Sequence, residues 1–252
     1  LNGTVPSELG KLTTLRGLGL YNNSLTGTFP TQLTSLKFVE YLYLASNLLT
    51  GTLPTELGHL TALIYFYSYN NFLTGTIVTE MGRWTALQQL AVFNNFLWGT
   101  LPTELGELID LQWLYVGRNK LTGPLPTELG RLSALEELTV YNNSLTGTLP
   151  TELGQLINLQ YLDVDSNKLT GPLPTELGRL TDLVALTMVN NSLTGTLPTE
   201  MDQMVSLEYL FLSNNLFTGT VSSMLADNLG SNFSFDGNNF TESISWVSRA
   251  GD

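Results

Sequence analysis

The sequence predicts an α/β solenoid of about ten 24-residue coils, with a concave parallel β-sheet and short 3₁₀ or helical turns on the convex side. Three observations carry this. First, NNSLTGTLPTELGQL, from Asn142 to Leu156, recurs with small edits, as SNLLTGTLPTELGHL from Ser46 and SNKLTGPLPTELGRL from Ser166. Second, the period holds without slippage from Leu1 to about Leu216, with Asn at 23, 47, 71, 95, 119, 143, 167, 191 and 215 and Gly four residues after each. Third, each repeat contains an x-L-x-L-x alternation, the period-2 mark of a strand buried on one face. Units of this size cannot bury an apolar face alone and do so only by stacking.

Residues 1–12 supply the second half of a repeat whose strand is missing. Nine strand segments follow, starting at Leu15, Val39, Leu63, Leu87, Leu111, Leu135, Leu159, Leu183 and Leu207. In Tyr41-Leu42-Tyr43-Leu44-Ala45, alternation sends the leucines inward and the other three outward. The recurring Asn that follows is expected to be buried, with its amide bonded to backbone of its own turn and of the neighbouring coil. The Gly of L-T-G supplies a backbone conformation or a close approach that a side chain would block. T-L-P-T-E-L-G-x-L then closes the coil. Its Pro stands at the start and fixes φ for a short helical or 3₁₀ turn, Leu57 and Leu60 point inward, and Gly58 suits a left-handed stop. The Glu of PTELG favours the amino end of each short turn. The array ends atypically: Ser222 replaces Pro, and Phe233, Phe235, Asn238 and Phe240 repeat the pattern one residue early. Residues 1–240 thus read as a single solenoid domain and 241–252, with Trp246, as a C-terminal tail or partial cap.

Composition narrows the function. The formal charge of −12 argues against nucleic acid or an anionic membrane and favours a cationic partner. No apolar run approaches the ~20 residues of a bilayer span. Absence of Cys excludes disulfides, thiolate metal sites and a thiol nucleophile. With His59 as the one histidine and no Gly-rich phosphate loop, neither a Ser-His-Asp triad nor a nucleotide site can be assembled. We therefore expect no enzyme activity, no cofactor and no metal. The chain opens inside a repeat at Leu1 and reads as a segment of a longer protein.

The pattern NxLTGxLPxELGxLxxLxxLxL is similar to the plant-type subclass of leucine-rich repeats, which includes receptor-kinase ectodomains and polygalacturonase-inhibiting proteins. The PTELG wording also resembles repeats of algal and protist proteins. The resemblance covers residues 1 to about 240. It implies a second sheet on the flank, formed by L-T-G-x-L-P. It also implies recognition of peptides, proteins or glycans outside the cell or at its surface. The chain departs from the plant pattern in lacking paired Cys caps, and it contains no kinase motif.

In a solenoid the variable outward positions hold the information. All ten Tyr residues fall in the three outward columns of the strands. The expected ligand-binding face centres on Tyr41, Tyr43, Tyr65, Tyr67, Tyr69, Phe93, Trp113 and Tyr115, and continues through Tyr141, Tyr161 and Tyr209. Tyr and Trp dominate interface hot spots and stack on sugar rings. β-propensity and cross-strand pairing also favour Tyr on a pleated surface. The same rings would serve a homodimer contact. Phe72, Phe96 and Trp98 extend the face along one edge. Glu137, Asp163 and Asp165 form an acidic spot, read as a solvated face that selects partners by charge rather than a Ca²⁺ site, which needs about six or more oxygens.

N-x-S/T sequons stand at Asn2, Asn22, Asn142, Asn190, Asn232 and Asn239, candidate glycosylation sites in a secreted protein. Asn22, Asn142 and Asn190 also occupy a turn position that favours Asn in any case. The T-G-T runs stack Thr along the flank, a pattern resembling ice-binding surfaces, although β-branched residues suit a strand regardless. Recognition on the concave face, adhesion through the Thr flank, and a structural spacer in a larger surface protein are the three functional readings.

Overall fold

A computed structural model describes residues 1–241, and the tail or cap reading of 242–252 lies outside the described residues. Alternation along each strand builds a ten-stranded parallel inner sheet, from Gly17–Gly19 through Tyr41–Tyr43, Tyr65–Tyr67, Gln89–Ala91, Trp113–Tyr115, Glu137–Thr139, Tyr161–Asp163, Ala185–Thr187 and Tyr209–Phe211 to Phe233–Ser234. The register is one full repeat: Tyr41 lies beside Tyr65, and Tyr43 beside Tyr67. At the last step Leu210 pairs with Phe233, one residue short, as the sequence anticipates. Behind the sheet each coil buries its apolar residues. In one turn Leu42, Leu44, Leu49, Leu53, Leu57, Leu60 and Leu63 are all buried, and the cluster continues without a break from Val5 to Phe235.

The repeated asparagine welds coil to coil. Asn47 donates from Nδ2 to the carbonyls of Leu44 (3.1 Å) and of Leu20 in the preceding coil (2.9 Å), while its Oδ1 accepts the Leu25 N–H at 3.0 Å. Asn71, Asn95, Asn119, Asn143, Asn167, Asn191 and Asn215 repeat this set. The residue just before each is left-handed, with φ from 51° to 57°, even where it is Arg118. That conformation costs a non-glycine residue roughly 1 kcal/mol, and the three bonds of the following Asn hold it in place.

Of the expectations about the convex turn, one needs correction. Pro54 stands at the start of the 3₁₀ helix Thr55–His59 as expected, as its cap, with an extended backbone (φ −76°, ψ 147°). Gly58 is not left-handed. A Cβ there would lie 2.7 Å from Glu80 Cβ and 2.8 Å from the Glu80 carbonyl oxygen, so this glycine exists to let the next coil approach. The Gly of L-T-G is both: Gly171 has φ +77°, and a Cβ would sit 2.7 Å from the Thr148 methyl.

The flank carries the second sheet, interrupted near its start. Asn2–Thr4 pairs with Ser24–Thr26, only single bridges join Thr28 to Thr50 and Thr52 to Thr74, and seven strands then run from Trp98–Gly99 to Asn239–Phe240. At the far end Ser222 accepts the Leu225 N–H at 3.1 Å and caps an α-helix, Ser223–Leu229, where the other coils place 3₁₀ turns.

Removing one ladder amide orphans a buried N–H and two carbonyls. We expect Asn95→Ala to lower the unfolding free energy by about 2–4 kcal/mol. Asn94→Gly, which relaxes a left-handed residue and gives up only the exposed bond from Asn94 Nδ2 to Asn70 Oδ1 at 2.8 Å, should change it by less than about 1 kcal/mol. Urea unfolding of the two variants decides; a smaller loss in Asn95→Ala than in Asn94→Gly would remove the ladder from its structural role.

Candidate functional site

The register of the inner sheet brings the tyrosines together. Tyr41, Tyr43, Tyr65, Tyr67, Tyr69, Phe93, Trp113, Tyr115 and Tyr141 are all half-buried on one face, and Tyr21, Tyr161 and Tyr209 are exposed there. None lies in the core. Because neighbouring strands are in one-repeat register, rings at matching positions of adjacent coils meet. Tyr43 and Tyr67 stack with centroids 4.9 Å apart, Tyr69 and Phe93 stack at 4.5 Å, and Tyr41 tilts against Tyr65 at 5.3 Å. Tyr21 meets Tyr43 edge-on at 6.3 Å and extends the array towards the first coil. Trp113 and Tyr115, on one strand, also stack, at 5.9 Å.

A cavity of about 270 Å³ opens where the array is thinnest, lined by Tyr67, Tyr69, Gln89, Leu90, Ala91, Phe93, Trp113 and Tyr115. Its walls are tethered. The Tyr67 hydroxyl donates to Gln89 Oε1, and the Tyr115 hydroxyl to Glu137 Oε2. Trp113 Nε1–H is buried and makes no hydrogen bond. Burial, followed by the neighbouring Tyr43, Tyr65 and Tyr69, pushes the Tyr67 phenol up to about 12. Burial also raises Tyr115, assisted by the bond to Glu137 and its charge. Both rings are therefore neutral phenols across the physiological range. Sequence reasoning places Gln89 and Ala91 among the outward positions but gives them no part in the site, although both line the cavity.

The acidic spot is less solvated than the sequence suggests. Glu137 turns back to Tyr115. Asp163 Oδ1 accepts from the Asp165 N–H at 3.0 Å and from Thr187 Oγ1 at 2.9 Å, and Asp165 Oδ1 accepts from the Val189 N–H at 2.5 Å. Burial raises the Asp163 carboxyl above its ordinary value. Burial and then the Asp163 charge push Asp165 up to about 6. Among the described residues, no group of three or more His, Asp or Glu gathers here or elsewhere in a form that could hold a metal ion.

With this geometry in hand, comparison with known proteins places the chain. The Leucine rich repeat family models match residues 109–169, 157–217 and 38–60, together more than half of the sequence. The chain belongs to the leucine-rich repeat family. No match was found among the curated proteins. Among solved structures it is similar to the plant peptide hormone receptor RGFR1 in complex with RGF2 (31% identity, TM-score 0.90, covering 95% of this chain and 38% of that one). It is similar to a TDR receptor (34%, 0.91, 95% and 42%). It also resembles the Arabidopsis receptor kinase HAESA in complex with the peptide hormone IDA and the co-receptor SERK1 (32%, 0.90, 95% and 40%). The chain spans about two fifths of the length of these receptors. Its repeats, with two sheets and L-T-G-x-L-P on the flank, are of the plant type.

The flank of this leucine-rich repeat protein holds the remaining candidates. Phe72 and Phe96 stack at 6.0 Å and are exposed with Leu48 and Trp98 beside the interruption of the outer sheet. Lys120 Nζ lies 5.0 Å from the Phe96 ring centre. Thr50, Thr74, Thr122, Thr170 and Thr218 donate their hydroxyls to glycine carbonyls of the preceding coil at 3.2 to 3.4 Å. The second Thr of several runs, such as Thr148, packs its methyl against the next coil's Gly. The T-G-T pattern therefore has an internal reason. Of the sequon residues, Asn2, Asn22, Asn142, Asn190, Asn232 and Asn239 are all exposed. Asn190 Oδ1 also accepts from Asn214 Nδ2 at 2.9 Å.

Asp165 generates a pH prediction. Its carboxyl is raised in the folded state from 3.8 to about 6, so the stability it contributes is full below pH 4 and lost as pH rises to about 6. Asp165→Asn keeps the acceptor for Val189 and removes the charge. Thermal unfolding of the variant should be flatter with pH between about 4 and 6 and higher than wild type above it. Parallel pH profiles for the two proteins would contradict the assignment.

Proposed function

We propose that the chain is a non-enzymatic recognition module, acting outside the cell or at its surface, that binds a peptide or a peptide-like segment of a protein on its inner sheet. The observation that carries this is the contiguous array of half-exposed rings from Tyr21 to Tyr115, with a cavity in its middle. Such rings offer large apolar area, a polar tip and only two torsions to freeze, which is why they dominate interface energetics. A patch of this extent is unusual on a face that meets only water. Their mutual stacking leaves little ordering cost for a ligand to offset. The similarity to RGFR1 with RGF2 and to HAESA with IDA supports peptide over other ligands. Glycan stacking on the same rings, a homodimer through them, and a spacer with no ligand are outcomes that the experiment below separates. Adhesion to ice through the flank has weaker support, because hydroxyls of one Thr column are spent on glycine carbonyls and Trp98, Pro124 and Pro172 interrupt the array.

The test is a screen of the immobilised chain against peptide and glycan arrays, with light scattering for dimers. We expect saturable peptide binding that Tyr67→Ala and Trp113→Ala each weaken ten-fold or more, about 1.4 kcal/mol, with little change in melting temperature. Absence of saturable peptide binding, or loss of folding equal to loss of binding, would overturn the reading.

A further inference from the structure

The ring array has a single missing member in its middle column. Across the strands the outward residues of that column run Tyr43, Tyr67, Ala91, Tyr115, Thr139 and Asp163, each in direct register with the next. Tyr67 and Tyr115 thus flank Ala91 from two strand spacings apart, about 9.6 Å. Where no ring is missing, consecutive rings such as Tyr43 and Tyr67 stack at 4.9 Å. The gap therefore has the width of one intercalated group. The cavity of about 270 Å³ occupies this place, with Leu90 and Ala91 in its lining and rings around it. One wall, Trp113, has a buried Nε1–H with no acceptor, so no polar bond fixes the indole against an entering group.

Two strands beyond Tyr115 the same column carries charge, at Asp163. Ala91 and Asp163 are three strand spacings apart, about 14 Å, which an extended peptide at about 3.3 Å per residue covers in about four residues. Asp163 and its neighbour Asp165 have no cation partner: among the described residues the ion pairs are Arg16 with Glu40 and Arg131 with Glu107. Two half-buried carboxylates side by side repel each other, and a guanidinium or ammonium placed between them would relieve that. The chain's net charge of −12 favours a cationic partner over the same range.

We propose that the socket over Ala91 takes an apolar side chain of an extended peptide, and that Asp163 and Asp165 take a lysine or arginine about four residues along the same peptide. This rests on the peptide reading above and sharpens it to a ligand pattern. Tyr67 and Tyr115 supply stacking walls, and the step of the solenoid sets the spacing between the two anchors.

The experiment uses a random linear twelve-residue peptide library displayed on phage, selected on the full chain. Selected peptides should share an apolar residue and a Lys or Arg about four positions apart. Ala91→Tyr, which restores the missing ring, should weaken them at least ten-fold. Asp163→Asn with Asp165→Asn should weaken them and flatten the dependence on salt. Melting temperatures are measured alongside; if Ala91→Tyr falls, Ala91→Val replaces it, with the same direction of effect and a smaller size. Peptides that bind Ala91→Tyr like wild type yet are lost on Tyr43→Ala would overturn the socket and leave recognition on the inner sheet intact. Selected peptides without the spacing would likewise overturn it. Failure to select any peptide on wild type would overturn both.

Discussion

One buried or half-buried side chain per coil sets the geometry on which everything else depends. An asparagine just after each inner strand accepts one N–H and donates to carbonyls of its own coil and of the preceding one. Its amide has just enough donors and acceptors for this, and no apolar residue could replace it without leaving buried backbone groups unpaired. The bonds reach 22 and 27 residues back, so they clamp successive coils to the same phase. A phase error of one residue would turn every outward side chain into the core.

That phase is what turns a composition into a surface. Ten tyrosines spread over 252 residues become one face because 24-residue spacing returns each to the same angle. The rings then support each other laterally, at 4.5 to 6.3 Å, without help from the core. Beneath them the packing adapts. Trp84 replaces a leucine, donates from Nε1 to the Leu57 carbonyl at 2.9 Å, and packs on Phe66 at 5.1 Å. The scaffold is made from repeated parts, and departures from the repeat gather in the coils that hold the densest aromatic cluster. Leu48, Phe72, Phe96 and Trp98 on the rim belong to the same coils, where the outer sheet is interrupted.

Much of this was legible in the sequence, for a physical reason. Strand, ladder and turn recur, so each position is sampled nine times and its burial is readable from what it tolerates. The asparagine ladder, the placement of all ten tyrosines and the one-residue advance at Phe233 follow from spacing alone. The turn glycines were harder. Gly58 looks like a helix stop along the chain, but its reason is the Glu80 backbone of the next coil, a contact that no local rule contains. The cavity was hidden because it is defined by absence. Ala91 carries no functional group, and only the rings two coils apart make it matter. Asp163 and Asp165 read as solvated because the sequence cannot show that Thr187 and Val189 reach across to them.

The central claim is that the aromatic inner wall, and not the flank or the convex turn, meets the partner. Photo-crosslinking tests it most directly, with benzoylphenylalanine placed singly at Tyr67 on the inner sheet, at Phe96 on the rim and at Phe38 in the turn after a 3₁₀ helix. Each variant is illuminated with a peptide that the wild-type chain binds saturably. The account predicts strong crosslinking from position 67, weaker from 96 and none from 38. Crosslinking from 38, or from 96 alone, would place the partner elsewhere and contradict it.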